Sequence, residues 1–180
     1  MDHKLVLKAA QFAALKHRDQ RRKDVEASPY INHPISVARV IAEVGGVDDP
    51  EILVAALLHD TLEDTDTSSE ELDEEFGERV RKLVEEVTDD KGLPKGARKE
   101  RQIDHAANIS QGAVLIKLGD KISNVLDVTN SPPTNWSLER RKDYLDWAEA
   151  VINNCSDVNP SLKERFNGVL ARGRTVLLSG

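Results

Sequence analysis

Cysteine occurs once in these 180 residues, at Cys155, so the chain can form neither an intramolecular disulfide nor a cysteine zinc cluster. That economy fits a reducing compartment. Aromatic residues make up only 4%, and no apolar run approaches the ~20 residues that span a bilayer. The opening Met-Asp-His-Lys lacks the apolar core of a secretion signal, so the cytoplasm is the expected location. Excess positive charge is missing too. A net charge of -7 argues against a nucleic-acid polymer as the main partner. No segment alternates at strand period, and neither an internal repeat nor a linker is visible. Nothing calls for a membrane or an obligate protein partner. What is present, 39% hydrophobic and 32% charged residues, is the balance of a folded domain with a sizeable core. The expected fold is a single-domain, all-α bundle.

One stretch organises the rest: Glu51-Ile-Leu-Val-Ala-Ala-Leu-Leu-His-Asp-Thr-Leu-Glu-Asp64. Asp49 and Pro50 are an N-cap and first-position pair, and Ile52 to Leu58 is apolar without a break. Such continuity predicts a buried central helix. Yet it ends in His59-Asp60 and Glu63-Asp64. On a continuous helix His59 lies beside Glu63 and Asp60 beside Asp64. Three carboxylates and an imidazole at the end of an oily helix repel and desolvate one another unless a cation joins them.

Upstream, residues 4–17 form an amphipathic helix with Leu5, Ala9, Phe12 and Leu15 on its apolar face. It runs into a basic cluster, Arg18 to Asp24, which taken alone reads as a solvated surface. Pro34 suits the first turn of a helix reaching Gly45-Gly46, with His33 at its start. Downstream, Thr67 with Glu70 fits a capping box for a short helix to about Phe76. Further helices are expected over 78–88, 97–108, 138–153 and, after Asn159-Pro160, to about 177. Lys95, in a loop, joins Arg98, Lys99 and Arg101 in a second basic cluster, while His105 reads as solvated. Within the segment 114–127, Asp120, Asn124 and Asp127 recur at four and three residues, a polar stripe on a core-like helix. Arg140 and Tyr144 share one face of a later helix, with Trp147 one turn on.

The pair His59-Asp60 has His33 upstream and Asp120 downstream on separate predicted helices, with Glu63-Asp64 one turn beyond. Two imidazoles and two carboxylates without a thiolate suit a cation such as Mn²⁺ better than a structural zinc. Such an ion lowers the pKa of bound water from about 15.7 toward about 7 and neutralises phosphoryl oxygens. Glu63 or Asp64 could accept the water's proton.

This constellation resembles the HD phosphohydrolase superfamily. Arg21-Arg-Lys-Asp24, Pro29-Tyr-Ile-Asn-His-Pro34, Ala56-Leu-Leu-His-Asp-Thr-Leu-Glu-Asp-Thr65 and Lys117-Leu-Gly-Asp-Lys-Ile-Ser-Asn124 are similar to the hydrolase domain of RelA/SpoT homologues. The likeness is greatest to the stand-alone small alarmone hydrolases, including the metazoan type. It also takes in Val84 to Lys91, Leu93-Pro-Lys95 and Trp136 to Trp147, and it loosens after Asn153. The resemblance implies one HD domain over residues 1–180, with a core at about 4–153 and a C-terminal helix at about 160–177. It implies Mn²⁺-dependent removal of the 3′-diphosphate of guanosine tetra- or pentaphosphate, giving pyrophosphate and GDP or GTP. By position it makes His33, His59, Asp60 and Asp120 the metal ligands. Glu63 and Asp64 become the pair that orients and activates water. Arg22 and Lys23 lie against the nucleotide, Arg22 stacking on guanine, and Lys95, Asn124, Arg140 and Tyr144 hold ribose or phosphates. An alternative within the superfamily is a phosphatase for another nucleotide, such as one removing the 2′-phosphate of NADPH.

Overall fold

The computed structural model describes residues 2–179, which form ten helices and no strand. In chain order these are α1 (His3–Lys16), α2 (Asn32–Glu43), α3 (Pro50–Leu58), α4 (Thr61–Asp64) and α5 (Ser69–Phe76). After them come α6 (Glu78–Val87), α7 (Lys95–His105), α8 (Gln111–Asn130), α9 (Leu138–Asn154) and α10 (Pro160–Ser179). The fold is an all-α bundle, as the absence of strand periodicity implies.

Helix α3 is the axis. Asp49 caps it, its side chain accepting from the Glu51 N–H, and Pro50 opens the first turn. Every residue from Ile52 to Leu58 is buried. Helices α1, α2, α6 and α8 pack around it. The long α8 is nearly as enclosed and is flanked by α2, α9 and α10. At Gly119 the α2 and α8 backbones come close: a β-carbon there would lie 2.8 Å from Ile41 Cγ1 and 3.1 Å from Val37 Cγ1. That contact sets the separation between His33 on α2 and Asp120 on α8.

Four local expectations are corrected. The α1 face turned inward runs through Ala9 and Ala13, and Leu15 is 61% exposed; the stripe continues to His17, a position 100° steps reach and Leu15 does not. The cap of α5 is Ser68, which accepts from the Glu71 N–H, because the Thr67 hydroxyl is 2.7 Å from that of Thr65. Lys95 is the first residue of α7, not a loop residue, with Pro94 before it. The fourth correction matters most. Helix α3 stops at Leu58 and does not run on through Asp64. The His59 ring donates from Nδ1 to the Ala56 carbonyl (2.8 Å), and the Thr61 hydroxyl donates to that of Leu58 (2.6 Å). Side chains therefore satisfy carbonyls freed by the break, and Asp60 sits at φ -100°, ψ -2°.

Candidate active site

At the break His59 and Asp60 face side chains of α2 and α8. His59 Nε2 lies 3.1 Å from Asp60 Oδ2 and 3.9 Å from Asp120 Oδ1. His33 Nε2, from the first turn of α2, lies 3.7 Å and 3.3 Å from the same two oxygens. One donor atom each from His33, His59 and Asp60 fall within 4.8 Å of one another, and Asp120 closes the fourth side. The four residues that the motifs single out thus converge, from three segments.

This donor set fits a divalent cation on three counts. The Nδ1–H of His59 is spent on a backbone carbonyl, leaving Nε2 as a lone pair aimed at the carboxylates. That Nε2 is buried with no hydrogen-bond partner, which a coordinated ion would supply. The candidate ligands are held by neighbours: Tyr30 donates its hydroxyl to Asp60 Oδ2 (2.5 Å), the oxygen that faces both imidazoles, the Ser123 hydroxyl is 3.3 Å from His33 Nδ1, and Lys121 Nζ is 2.8 Å from Asp120 Oδ2. Burial opposes a charge on the His59 ring, but Asp60 and then Asp120 outweigh it and push its pKa up to about 9. Burial opposes charge on Asp60 as well, yet the two imidazoles hold its carboxyl well below the usual range. A cation does the same balancing work, so its binding displaces protons.

Glu63 and Asp64 stand on the wall of the same cavity, of about 490 Å³, with different surroundings. Burial, followed by the charges of Asp89, Asp60 and Asp64, pushes the Glu63 carboxyl up to about 7. Glu63 also lines a space of about 70 Å³ shared with His59, Asp60 and Asp120, several times the ~15 Å³ that one water requires. Asp64 instead accepts from Gln20 Nε2 (3.1 Å) and Lys91 Nζ (2.5 Å).

The expected substrate residues divide between two adjoining cavities. Arg22, Lys23, Asn124 and Tyr144 line the cavity over the metal ligands. Lys95 and Arg140 line a neighbour of about 430 Å³ that shares Lys23, Trp136, Tyr144 and Trp147 with the first. The polar stripe on α8 is now explained. Asn124 donates to Asp120, and Arg22 Nη2 donates to Asn124 Oδ1 (3.0 Å) and Asp127 Oδ2 (2.5 Å). The Arg22 guanidinium lies 5.6 Å from the Tyr30 ring centre, and that of Arg140 lies 4.4 Å from Trp136. Of the second basic cluster, Arg101 faces Asp90 instead (3.6 Å). His105 is exposed, as read.

Three residues at the site went unassigned in the sequence. Tyr30 stood inside a quoted motif without a role. Lys121 follows Asp120 directly, and with Lys117 it forms an i, i+4 pair of lysines, both buried, on an apolar helix; two lysines among core residues were the available signal. Gln20 carried none.

Comparison with known proteins decides the kinship. The HD domain family model matches residues 9–144. The chain belongs to the HD-domain family. It is 52% identical over 172 residues to guanosine-3′,5′-bis(diphosphate) 3′-pyrophosphohydrolase MESH1 of Mus musculus, covering 95% of this chain and 96% of that protein. The Homo sapiens protein of the same name is 49% identical over the same shares. The solved structure of a metazoan orthologue of SpoT, described as hydrolysing ppGpp with a role in starvation responses, superposes with a TM-score of 0.92. It is 42% identical, and the match covers 96% of this chain and 97% of that one. The motif-level likeness to the metazoan small alarmone hydrolases therefore extends over almost the whole HD-domain chain. Among the described residues no helix is long and apolar enough to cross a membrane.

Proposed function

We propose that this HD-domain protein is a metal-dependent 3′-pyrophosphohydrolase of guanosine tetra- and pentaphosphate, acting in the cytoplasm with Mn²⁺. One observation carries the reading. A centre of two imidazoles and two carboxylates, with the partnerless His59 Nε2 inside it, opens onto a cavity whose rim carries cations on both sides. The full-length relatives named for this reaction support it.

In this reading His33, His59, Asp60 and Asp120 hold the ion, and mixed imidazole and carboxylate ligation without thiolate suits Mn²⁺. When bound, the ion supplies Lewis-acid stabilisation and lowers the pKa of water. Glu63 accepts the water's proton, since its carboxyl shares a water-sized space with His59, Asp60 and Asp120, and its burial beside other carboxylates raises its basicity. Asp64, tied on two sides, orients the water. Attack at the phosphorus next to the ribose breaks its bond to the 3′ oxygen, leaving pyrophosphate and GDP or GTP. Arg22, carried on Tyr30, Asn124 and Asp127, offers its guanidinium plane to the base. Lys23, Asn124 and Tyr144 bracket the ribose, and Lys95 and Arg140 take the 5′-phosphates as charge-assisted donors.

The second reading, a phosphatase for the 2′-phosphate of NADPH, draws on the neighbouring cavity, whose Trp136 and Trp147 offer room for a second nucleotide half. Products separate the two. Purified protein with Mn²⁺ and guanosine tetraphosphate is expected to release GDP and pyrophosphate, with GDP and GTP left intact. Orthophosphate from NADPH at a much higher kcat/KM would replace this reading with the second.

A further inference from the structure

Asp64 is held by two groups of different kinds. Lys91, its side chain half exposed, supplies charge to Oδ1. The contact to Oδ2 comes from Gln20, which sits in the turn that ends α1. Behind Gln20 lies His17, the C-cap of α1, 2% exposed, with Nδ1 2.7 Å from Gln20 Oε1. We infer that His17 and Gln20 are positioning residues that set the orientation of Asp64, an inference that rests on the reading of Asp64 as the water-orienting carboxylate.

The polarity of this chain of contacts is determined at one end. An ionised Asp64 only accepts, so the Gln20 amide must present Nε2 to it. Its Oε1 then faces His17 and requires a donor, which makes Nδ1 the protonated nitrogen of that ring. The other nitrogen, Nε2, is left buried without a partner. An imidazole with one nitrogen orphaned is a poor filler of apolar space; what it contributes here is the Nδ1 donor. A leucine would fill the same volume without the orphan, and would leave the Gln20 amide free to rotate.

The same turn also braces the metal side. Tyr30 N–H donates to the Gln20 carbonyl (3.2 Å), the His17 and Tyr30 rings lie 4.8 Å apart, and the Tyr30 hydroxyl reaches Asp60. Asp60 and Asp64 therefore both lean on residues 17–20, through separate contacts, and the registry between metal ligand and water-orienting carboxylate is set by the end of α1.

The test uses the full chain loaded with Mn²⁺ and guanosine tetraphosphate as substrate. Gln20→Leu, at a half-buried position, is expected to lower kcat by ~10–100-fold, as loss of outer-shell support does, with KM and bound manganese unchanged. His17→Leu should match it, whereas His17→Asn, which keeps an amide N–H near the place of Nδ1, should restore most of the turnover. On an Asp64→Asn background, Gln20→Leu should cost nothing further, because the residue it acts through is already gone. The inference is overturned if Gln20→Leu leaves kcat intact while Asp64→Asn is inactive, or if it costs the same factor on both backgrounds. It is equally overturned if manganese content falls in step with kcat, since the effect then runs through the metal. Wild-type turnover in Asp64→Asn itself would remove the underlying reading, and the inference with it.

Discussion

Glu63 and Asp64 are adjacent in the chain and unlike in setting, and that difference separates their work. Glu63 stands near the Asp89 and Asp60 carboxylates, with the Arg98 guanidinium 3.7 Å from its Oε1, while Asp64 accepts from an ammonium and an amide. Glu63→Gln keeps the shape and removes the base, so turnover should fall by roughly 10²–10⁴-fold. Bound manganese should change far less, and a titration of metal content against activity checks both. The pH profile has a definite sign. A base works only when deprotonated, so kcat/KM should fall as pH falls through the Glu63 pKa. With the ion's positive charge beside it, that limb lies below the value of about 7 that the carboxyl has on its own. In Glu63→Gln the limb should vanish. Asp120→Ala belongs to another class, since it removes a proposed ligand that Lys121 and Asn124 hold in place. Activity and bound manganese should disappear together while the helical circular dichroism persists. Full metal occupancy in that variant would show the ligand set to be wrong.

At the level of elements, the site depends on where helices stop and how closely they approach. Helix α2 delivers His33 from its first turn, the end of α3 delivers His59 and Asp60, and the middle of α8 delivers Asp120. The α2–α8 separation rests on Gly119. Gly119→Val forces bulk against Ile41 and Val37, an overpacking that costs ~1–3 kcal/mol. Because His33 and Asp120 move apart with the helices, manganese affinity should fall along with thermal stability. A stability loss with unchanged affinity would separate the packing from the site. The cationic rim offers a graded comparison. Arg22 is largely enclosed and hydrogen-bonded, whereas Arg140 is exposed on α9. Arg22→Ala should therefore raise KM for guanosine tetraphosphate by ~1.5–3 kcal/mol equivalent, and Arg140→Ala by ~1 kcal/mol or less. Steady-state kinetics at fixed salt tests the ranking.

Over the whole molecule, a net charge of -7 coexists with Lys23, Lys95, Arg98, Lys99 and Arg140 gathered around the second cavity, so a polyanion meets local attraction there on a repelling body, while the first cavity is lined mainly by carboxylates. KM for a highly charged nucleotide should rise with ionic strength as that attraction is screened. Metal binding is expected to register globally, because the ligands tie three helical segments together. At a free Mn²⁺ concentration of about 100 times Kd the native state gains ~2.7 kcal/mol, roughly 5–11 °C in Tm for a chain of this size. A chelator should reverse the shift, and Asp120→Ala should not show it.

The HD-domain motifs and the all-helical class were legible along the chain, because each rests on local chemistry: 3.6-residue periodicity, caps such as Asp49, and imidazoles beside carboxylates. Spacing even marked Asp120, Asn124 and Asp127 as one stripe. Tertiary structure alone decided what those groups face. The helical rule placed His59 beside Glu63, and the two do line one space, but that His59 also meets Asp120 of α8 and stacks edge-on against His33 of α2 came only from the packing. Lys121 reads as a surface lysine until packing buries it on Asp120, and Gln20 carries no local signal at all, since its partner Asp64 lies 44 residues away. A sequence pattern reports which face of a helix is apolar; it takes the packed helices to say which polar group meets which, and that pairing gives two adjacent carboxylates different surroundings.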